Sequence, residues 1–330
     1  MRESVGVPAR FYLSLSAMWL MMLAVLPFTK VQIVYGDFTD VIGLGLILAG
    51  LSLGAGRLKW IAVRNTLGLF AGFFLIFLPL IVVNYVAMSF EMPLMDDVLS
   101  QWDRSIGFDW HSFIAYVDGI PWLARAFDQA YGSFLIQVVL VPLLLQVTGQ
   151  SRRAFAFVTS YGLVCFLAAF IAVYFPAYGT YSYYGFSEGE LANIDMYFGY
   201  QFIEQFEAVR SQETYLVTAS TLAGILTFPS VHAAVAYLAI WATWSNRWLR
   251  VPFLLLNVTM ALSAVVNANH YLVDILVSIP LAAITVWIVK RIYAMEGFGA
   301  SLSTGSEHVP GGQAAAIRQR PTPDRQPAEA

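Results

Sequence analysis

Apolar residues run through this chain in long stretches nearly free of charge, not in the short alternations of a soluble core. A helix that crosses a bilayer needs roughly 20 consecutive apolar residues. The runs at 11–29, 41–56, 65–90, 130–149, 154–175, 228–244, 251–268 and 272–289 meet or approach that length. The second is short, and the last carries Asp274 near its start. Together they predict an all-α, polytopic transmembrane helix bundle of about eight spans. Arg2 and Arg10 flank the first run as in a signal peptide, but no small-x-small cleavage site follows, so a retained first helix is expected.

The connections carry patterns of their own. After the third run, Met95, Val98, Leu99 and Trp102 recur at helical spacing and predict an amphipathic helix lying in the membrane interface. Trp102, Trp110 and Trp122 suit the headgroup layer. A second long connection gathers Tyr178, Tyr181, Tyr183, Tyr184, Tyr197 and Tyr200. Connections of this length often form lids or binding surfaces. From about Gly297 the sequence turns to Gly, Ser, Pro, Gln and Ala, which cannot bury a core. The expected division is therefore two additional N-terminal transmembrane helices in 1–64, a six-helix catalytic membrane core with two long outer loops in 65–296, and a disordered cytoplasmic tail in 297–330.

Composition agrees with a lipid setting: of 330 residues, 58% are hydrophobic and 12% charged, about half the charge of a soluble domain. A formal net charge of −3 offers no basic field for nucleic acid, and none is expected as a partner. The single cysteine, Cys165, can form no internal disulfide and sits in an apolar run, as an inert core thiol does. Charge also orients the chain. Eleven of the fifteen Lys and Arg residues ahead of the tail lie near the N-terminus or on alternate connections: Arg2, Arg10, Arg57, Lys59, Arg64, Arg152, Arg153, Arg247, Arg250, Lys290 and Arg291. The other connections are acidic, from Glu91 to Asp128 and from Glu188 to Glu213. The positive-inside rule then predicts a multi-pass plasma (inner) membrane protein with both termini cytoplasmic.

Two of the four histidines stand where ionisable groups are costly and hence suggest function. His232 closes Leu226-Thr-Phe-Pro-Ser-Val-His232 at the start of the sixth run, and His270 opens His270-Tyr271-Leu-Val-Asp274 at the start of the eighth. The orientation puts both at the outer membrane boundary. His111, beside Trp110, and His308, in the tail, are expected to be solvated or interfacial. Spacing of four places His270 and Asp274 on one helix face, where a carboxylate can fix the imidazole tautomer and leave the other nitrogen nucleophilic. Pro229 belongs in a first helical turn, and that helix N-terminus would receive a phosphate beside His232. His232, once protonated, could supply a proton to a leaving oxygen. The same residues also fit a polar pair that locks two helices together, or a metal set of His232, His270 and Asp274.

Pro229-Ser230-Val231-His232, followed by Ser263-Ala264, five residues, His270, three residues and Asp274, resembles the signature of the type 2 phosphatidic acid phosphatase superfamily. Val231 replaces that signature's glycine and Ala264 its phosphate-binding arginine, and the first element, K-x6-R-P, is absent; Arg57 and Arg64 have its spacing but face the cytoplasm. F-P-S-x-H at 228–232, H-Y-x-x-D at 270–274, Asp103-Arg104-Ser-Ile-Gly107-Phe108-Asp109-Trp110 and Arg210 look like the inositol phosphorylceramide synthase-like (inositolphosphotransferase) branch. The resemblance spans roughly 95–292. It implies a six-helix core, no cofactor and no metal, His270 as the nucleophile forming a phosphohistidine, Asp274 as its orienting partner and His232 as the acid. Ser230 and Ser263 belong to the matched elements and are expected to bind phosphate. With the signature's arginine and lysine missing, phosphate charge needs another cation; of the outer-face candidates Lys30, Arg104, Arg125 and Arg210, Arg210 is expected first because it precedes the F-P-S helix, and Arg104 second. The expected activity is lipid phosphatase or phosphotransferase, with a lipid phosphate or phospholipid as substrate and a lipid alcohol as possible acceptor in the bilayer. A transporter or lipid-binding protein is the competing class, although no internal repeat of the kind common in transporters is visible.

Overall fold

The computed structural model describes residues 3–187 and 189–295. The expected tail at 297–330, with His308, and the acidic Glu188 lie outside the described residues. The described chain is helical apart from one short strand pair. In order it forms α1 (Glu3–Val25), β1 (Val31–Ile33), α2 (Thr39–Arg57), α3 (Ile61–Met88), α4 (Asp96–Ser105), α5 (Trp110–Asp118), α6 (Pro121–Val147) and α7 (Ser151–Ala172). Then come α8 (Thr180–Tyr184), α9 (Tyr197–Tyr200), α10 (Ile203–Ser211), β2 (Tyr215–Val217), α11 (Val231–Thr243), α12 (Arg250–Asn267) and α13 (Leu272–Ile292).

Among the described residues, seven helices are long and apolar enough to cross a membrane: those containing α1, α2, α3, α6, α7, α12 and α13. Hydrocarbon offers no partner to a free backbone group, so apolar runs of this length close their hydrogen bonds internally as helices. The eighth expected span is α11, and it is short. Pro229 and Ser230 hold the chain out of the helix until Val231, leaving 13 residues, about 20 Å, against a hydrocarbon core of about 30 Å. Its buried face is built largely of alanine (Ala233, Ala234, Ala236, Ala239, Ala242), small enough for close approach to α6, α7, α12 and α13. Helix α7 is the most enclosed of the spans, and Cys165 is buried on it.

The two ends of the bundle differ. At one, Arg10 Nη1 donates to the Ile292 carbonyl at 2.8 Å, so the start of α1 meets the end of α13. At the other, β1 and β2 pair in parallel, with Val31 opposite Tyr215 and Ile33 opposite Val217. Lys30 Nζ donates there to the Arg210 carbonyl at 2.8 Å and pairs with Glu91, and Asp37 accepts from Ala219 N at 3.0 Å.

Helix α4 departs from the expected interfacial helix. Its buried residues are Asp96, Leu99, Ser100 and Asp103, so it presses a polar face into the protein while Trp102 stays 39% exposed. Of the other tryptophans placed in the headgroup layer, Trp122 is exposed, but Trp110 is only 2% exposed. Trp110 stacks on Tyr184 with ring centres 5.0 Å apart. Tyr181, from the tyrosine-rich connection, is likewise buried, its hydroxyl donating to the Val266 carbonyl. The segments that carry Trp110 and Tyr181 form a packed cap over α12 and α13.

Candidate active site

Three chain segments meet under that cap. The first is the start of α11. Ser230 is its N-cap, in extended conformation, and its Oγ accepts from Ala233 N at 3.3 Å. Pro229 therefore precedes the cap and is not in the first turn as the sequence suggests; a serine that can satisfy a helix N–H makes the better cap. The N–H groups of Val231 and His232, in the first turn, have no acceptor within the helix.

The second segment joins α12 to α13. His270 lies just ahead of α13 and Asp274 is its third residue, so the pair is a capping arrangement, not two positions on one helix face. His270 Nδ1 is 3.0 Å from Asp274 Oδ2. The same oxygen accepts the N–H of Tyr271, the N-cap, at 3.0 Å, as the acidic member of a capping box does. Asp274 is fully buried, and its Oδ1 has no hydrogen-bond partner among the described residues. His270 Nε2 stands 3.3 Å from Ser230 Oγ. The carboxylate favours the tautomer with hydrogen on Nδ1, which turns the Nε2 lone pair toward the α11 N-terminus. Burial holds the imidazole pKa well below its ordinary value, a charge on His232 lowers it further, and the Thr227 carbonyl opposes both. The neutral ring is the favoured resting form.

Backbone bonds lock these two segments together. Ser230 N donates to the Asp274 carbonyl at 3.4 Å. The Ser278 hydroxyl lies 2.8 Å from the Ser230 carbonyl and 2.7 Å from that of Asp274.

His232, the second residue of α11, sits between rings. It stacks on Tyr131 at 4.4 Å and 14° and lies 4.2 Å from the Phe134 ring centre. No hydrogen bond to its imidazole is present among the described residues, and it faces a cavity. The structure thus brings His232, His270, Asp274 and Ser230 together.

The other sequence candidates have partners elsewhere. Ser263 is buried on α12 and gives its hydroxyl to the Met260 carbonyl at 2.7 Å. Arg210, in the last turn of α10, donates to the Met92 carbonyl at 2.9 Å and lies over the Phe206 ring at 5.3 Å, while its Nη1 has no partner among the described residues. Arg104 is exposed in the last turn of α4. His111 is exposed too, with its ring 4.5 Å from that of Tyr184.

Sequence reasoning missed the third segment, α4. The Asp103 carboxylate accepts the N–H groups of Leu272 and Val273 at 2.9 and 2.8 Å, the first two of α13. Asp96 accepts from Tyr178 N at 3.0 Å, Gly179 N at 2.8 Å and the Tyr271 hydroxyl at 2.9 Å. Both residues flank the His270–Asp274 turn, and no hydrogen bond from either reaches His270 Nε2 among the described residues. Burial raises both carboxyls above their ordinary range and these N–H donors pull them back. Gly179 must be glycine here: its φ is +88°, and a Cβ would fall 2.0 Å from the Asn269 carbonyl oxygen. The available signal was the seven-residue spacing of Asp96 and Asp103, which puts both on the helix face of Leu99.

Compared with known families, the chain matches the PAP2 superfamily over residues 97–288. The match runs from α4 to near the end of α13 and includes Asp103, Ser230, His232, His270 and Asp274, while Asp96 lies one residue ahead of it. No curated protein and no solved structure matches.

Proposed function

The chain belongs to the PAP2 superfamily, and from that premise we propose that it transfers phosphoryl groups of lipids through a phosphohistidine on His270, without a metal requirement. Membership fits a lipid phosphatase or phosphotransferase in general. The observation that carries the finer reading is the aim of His270 Nε2: its opposite nitrogen is held by Asp274 at 3.0 Å, and Nε2 faces the capped N-terminus of α11. A helix N-terminus attracts anions through free N–H groups and its dipole. A phosphate seated there would stand in line with Nε2 and beside His232.

The chemistry then balances. Nε2 attacks phosphorus, the bond to the leaving oxygen breaks, and the proton on His232 goes to that oxygen. Asp274 offsets the charge that develops on the His270 ring. In the second half, neutral His232 takes the proton of an incoming hydroxyl whose oxygen attacks phosphorus and releases Nε2. Water as acceptor makes the reaction a hydrolysis; a lipid alcohol makes it a transfer. The F-P-S-x-H and H-Y-x-x-D patterns favour the second, with a phospholipid donating its phospho-alcohol headgroup, as the inositol phosphorylceramide synthase resemblance implies. Arg210, whose Nη1 has no partner among the described residues, is the first candidate for added positive charge, and Arg104 the second.

We further propose that the six helices from α3 onward form the catalytic unit. The site opens to the extracytoplasmic side, and both termini are cytoplasmic. The distribution of basic residues supports this, and so does the meeting of Arg10 with Ile292 at the end remote from His270.

The test uses purified wild type and His270→Ala with lipid phosphates and phospholipids, with and without a lipid alcohol, in chelator. Free phosphate and new lipid products are followed together. The expected result is wild-type turnover that falls by roughly 10⁴-fold or more in the variant, as loss of a nucleophile does. Undiminished turnover by His270→Ala would overturn the mechanism.

A further inference from the structure

A cavity of about 590 Å³ begins at His232 and runs down between α3 and α6. Its outer end is polar, closed by Asn84, Gln201, Thr227, His232 and Asn269. Below that the walls are apolar, with Phe73, Phe77 and Leu80 on one side and Leu135, Val138 and Val139 on the other. From Asn84 to Phe73 the helix descends about 16 Å, so the hollow is a shaft reaching well into the membrane-spanning part of the bundle. Phe77, Leu135 and Val139 on its rim are 38%, 71% and 38% exposed, which leaves a side opening toward the surrounding lipid. A polar mouth at a reacting group, an apolar bore and a lateral slit together describe a receptacle for a lipid tail.

Volume limits the occupant. Taking about 30 Å³ for a group of water or methylene size, the shaft holds roughly 20 such groups. That is room enough for one hydrocarbon chain. Transfer of a chain from bilayer to protein brings little hydrophobic gain, because lipid tails are as apolar as the wall. What the shaft contributes is alignment: with one chain fixed, the attached phosphate has few placements left, and they lie beside His232.

We propose that this shaft binds a single chain of the lipid substrate and discriminates substrates by the length and bulk of that chain. The proposal rests on the phosphoryl-transfer reading above, with Val139 at the lower end and Gly132 near the mouth as the residues that set the fit. Gly132 lines the shaft, and a Cβ there would meet nothing within 4 Å. Gly132→Leu therefore fills space without a clash and replaces a poor helix former with a good one.

The experiment reads occupancy and turnover separately. Full-length protein in nanodiscs receives a phospholipid with a photoreactive diazirine at the end of one chain, is irradiated, and is mapped by peptide mass spectrometry. The expected result is labelling centred on 73–81 and 135–139, reduced about fivefold or more by Gly132→Leu. Val139→Trp should lower the ratio of turnover on 18-carbon to 8-carbon substrates by about tenfold. Labelling spread over outward residues such as Leu20 and Trp287, unaltered by Gly132→Leu, would overturn the proposal, as would an unchanged ratio in Val139→Trp. Shaft labelling in a protein that turns nothing over would instead count against the phosphoryl-transfer reading alone.

Discussion

The junction of α12 with α13 and the mouth at α6 and α11 each hold one histidine of the site, and they hold it differently. At the junction almost every polar group is bonded. His270 reaches Asp274 and Ser230, Asp274 takes the Tyr271 N–H, and Asp103 takes the next two N–H groups. At the mouth, His232 has ring faces for neighbours and no hydrogen bond to its imidazole among the described residues. A nucleophile must be aimed once and kept aimed, which a dense bonding network does. A group that gives a proton in one half-reaction and takes one in the next must exchange partners, and aromatic faces fix its plane without occupying its nitrogens. Rigidity and freedom are thus divided between neighbouring side chains.

That contrast can be attacked from both sides. The largest expected effect is at the mouth: His232→Asn should lower kcat by roughly 10²–10⁴-fold, the usual contribution of a general acid. It should also move the acid limb of the pH profile. Attack needs neutral His270, and burial together with the His232 charge depresses its pKa. Under the proposed mechanism, wild-type activity should therefore persist as pH falls below the ordinary imidazole value, near 6.5. Removing the His232 charge lets the His270 pKa rise, so the acid limb of kcat/KM should shift to higher pH; a shift the other way would sink the coupling.

Next comes a residue that touches no reacting atom. Asp103→Asn keeps the size of the side chain but cannot serve both α13 N–H groups equally. It should lower kcat by roughly 10–100-fold, the worth of a charged hydrogen bond or two, with KM little changed. Asp103→Glu should recover part of the loss. An effect on KM alone would show that Asp103 does not hold the nucleophile's turn. The smallest effect is expected from Tyr131→Phe, which preserves the ring on His232 and removes only a hydroxyl; steady-state rates should stay within about threefold. A loss as large as that of Asp103→Asn would mean the mouth is wired as tightly as the junction, and the contrast would fail.

Much of this was legible in the sequence, for local reasons. Spans announce themselves because each needs its own unbroken apolar run, and the His270–Asp274 pair because both members sit within one turn of chain. What escaped was long-range or depended on a boundary. Asp96 and Asp103 look like solvent-facing members of an acidic connection, and only the fold sets Asp103 against Leu272 and Val273, some 170 residues on. Helix α11 reads as a full span because Phe228 to Trp244 carries no Asp, Glu, Lys or Arg and is mostly apolar; the Ser230 cap starts the helix late. Trp110 misled for a related reason: an amphipathic ring suits a headgroup layer and a packed cap equally well, and Trp110 lies in the cap while Trp102 and Trp122 stay exposed.

The parallel pairing of Val31–Ile33 with Tyr215–Val217 carries a consequence for modularity. The first two helices look like an optional prefix to a self-sufficient core. Yet the link between them is stitched to the very stretch that leads into Phe228-Pro229-Ser230, through the strand ladder, the Lys30 bonds and the grip of Asp37 on Ala219. A cut at residue 64 would leave intact every residue implicated in chemistry and unmoor the approach to one of them. The prefix is thus a buttress for the proposed six-helix unit, tied to it by the strand ladder and the side-chain bonds around it.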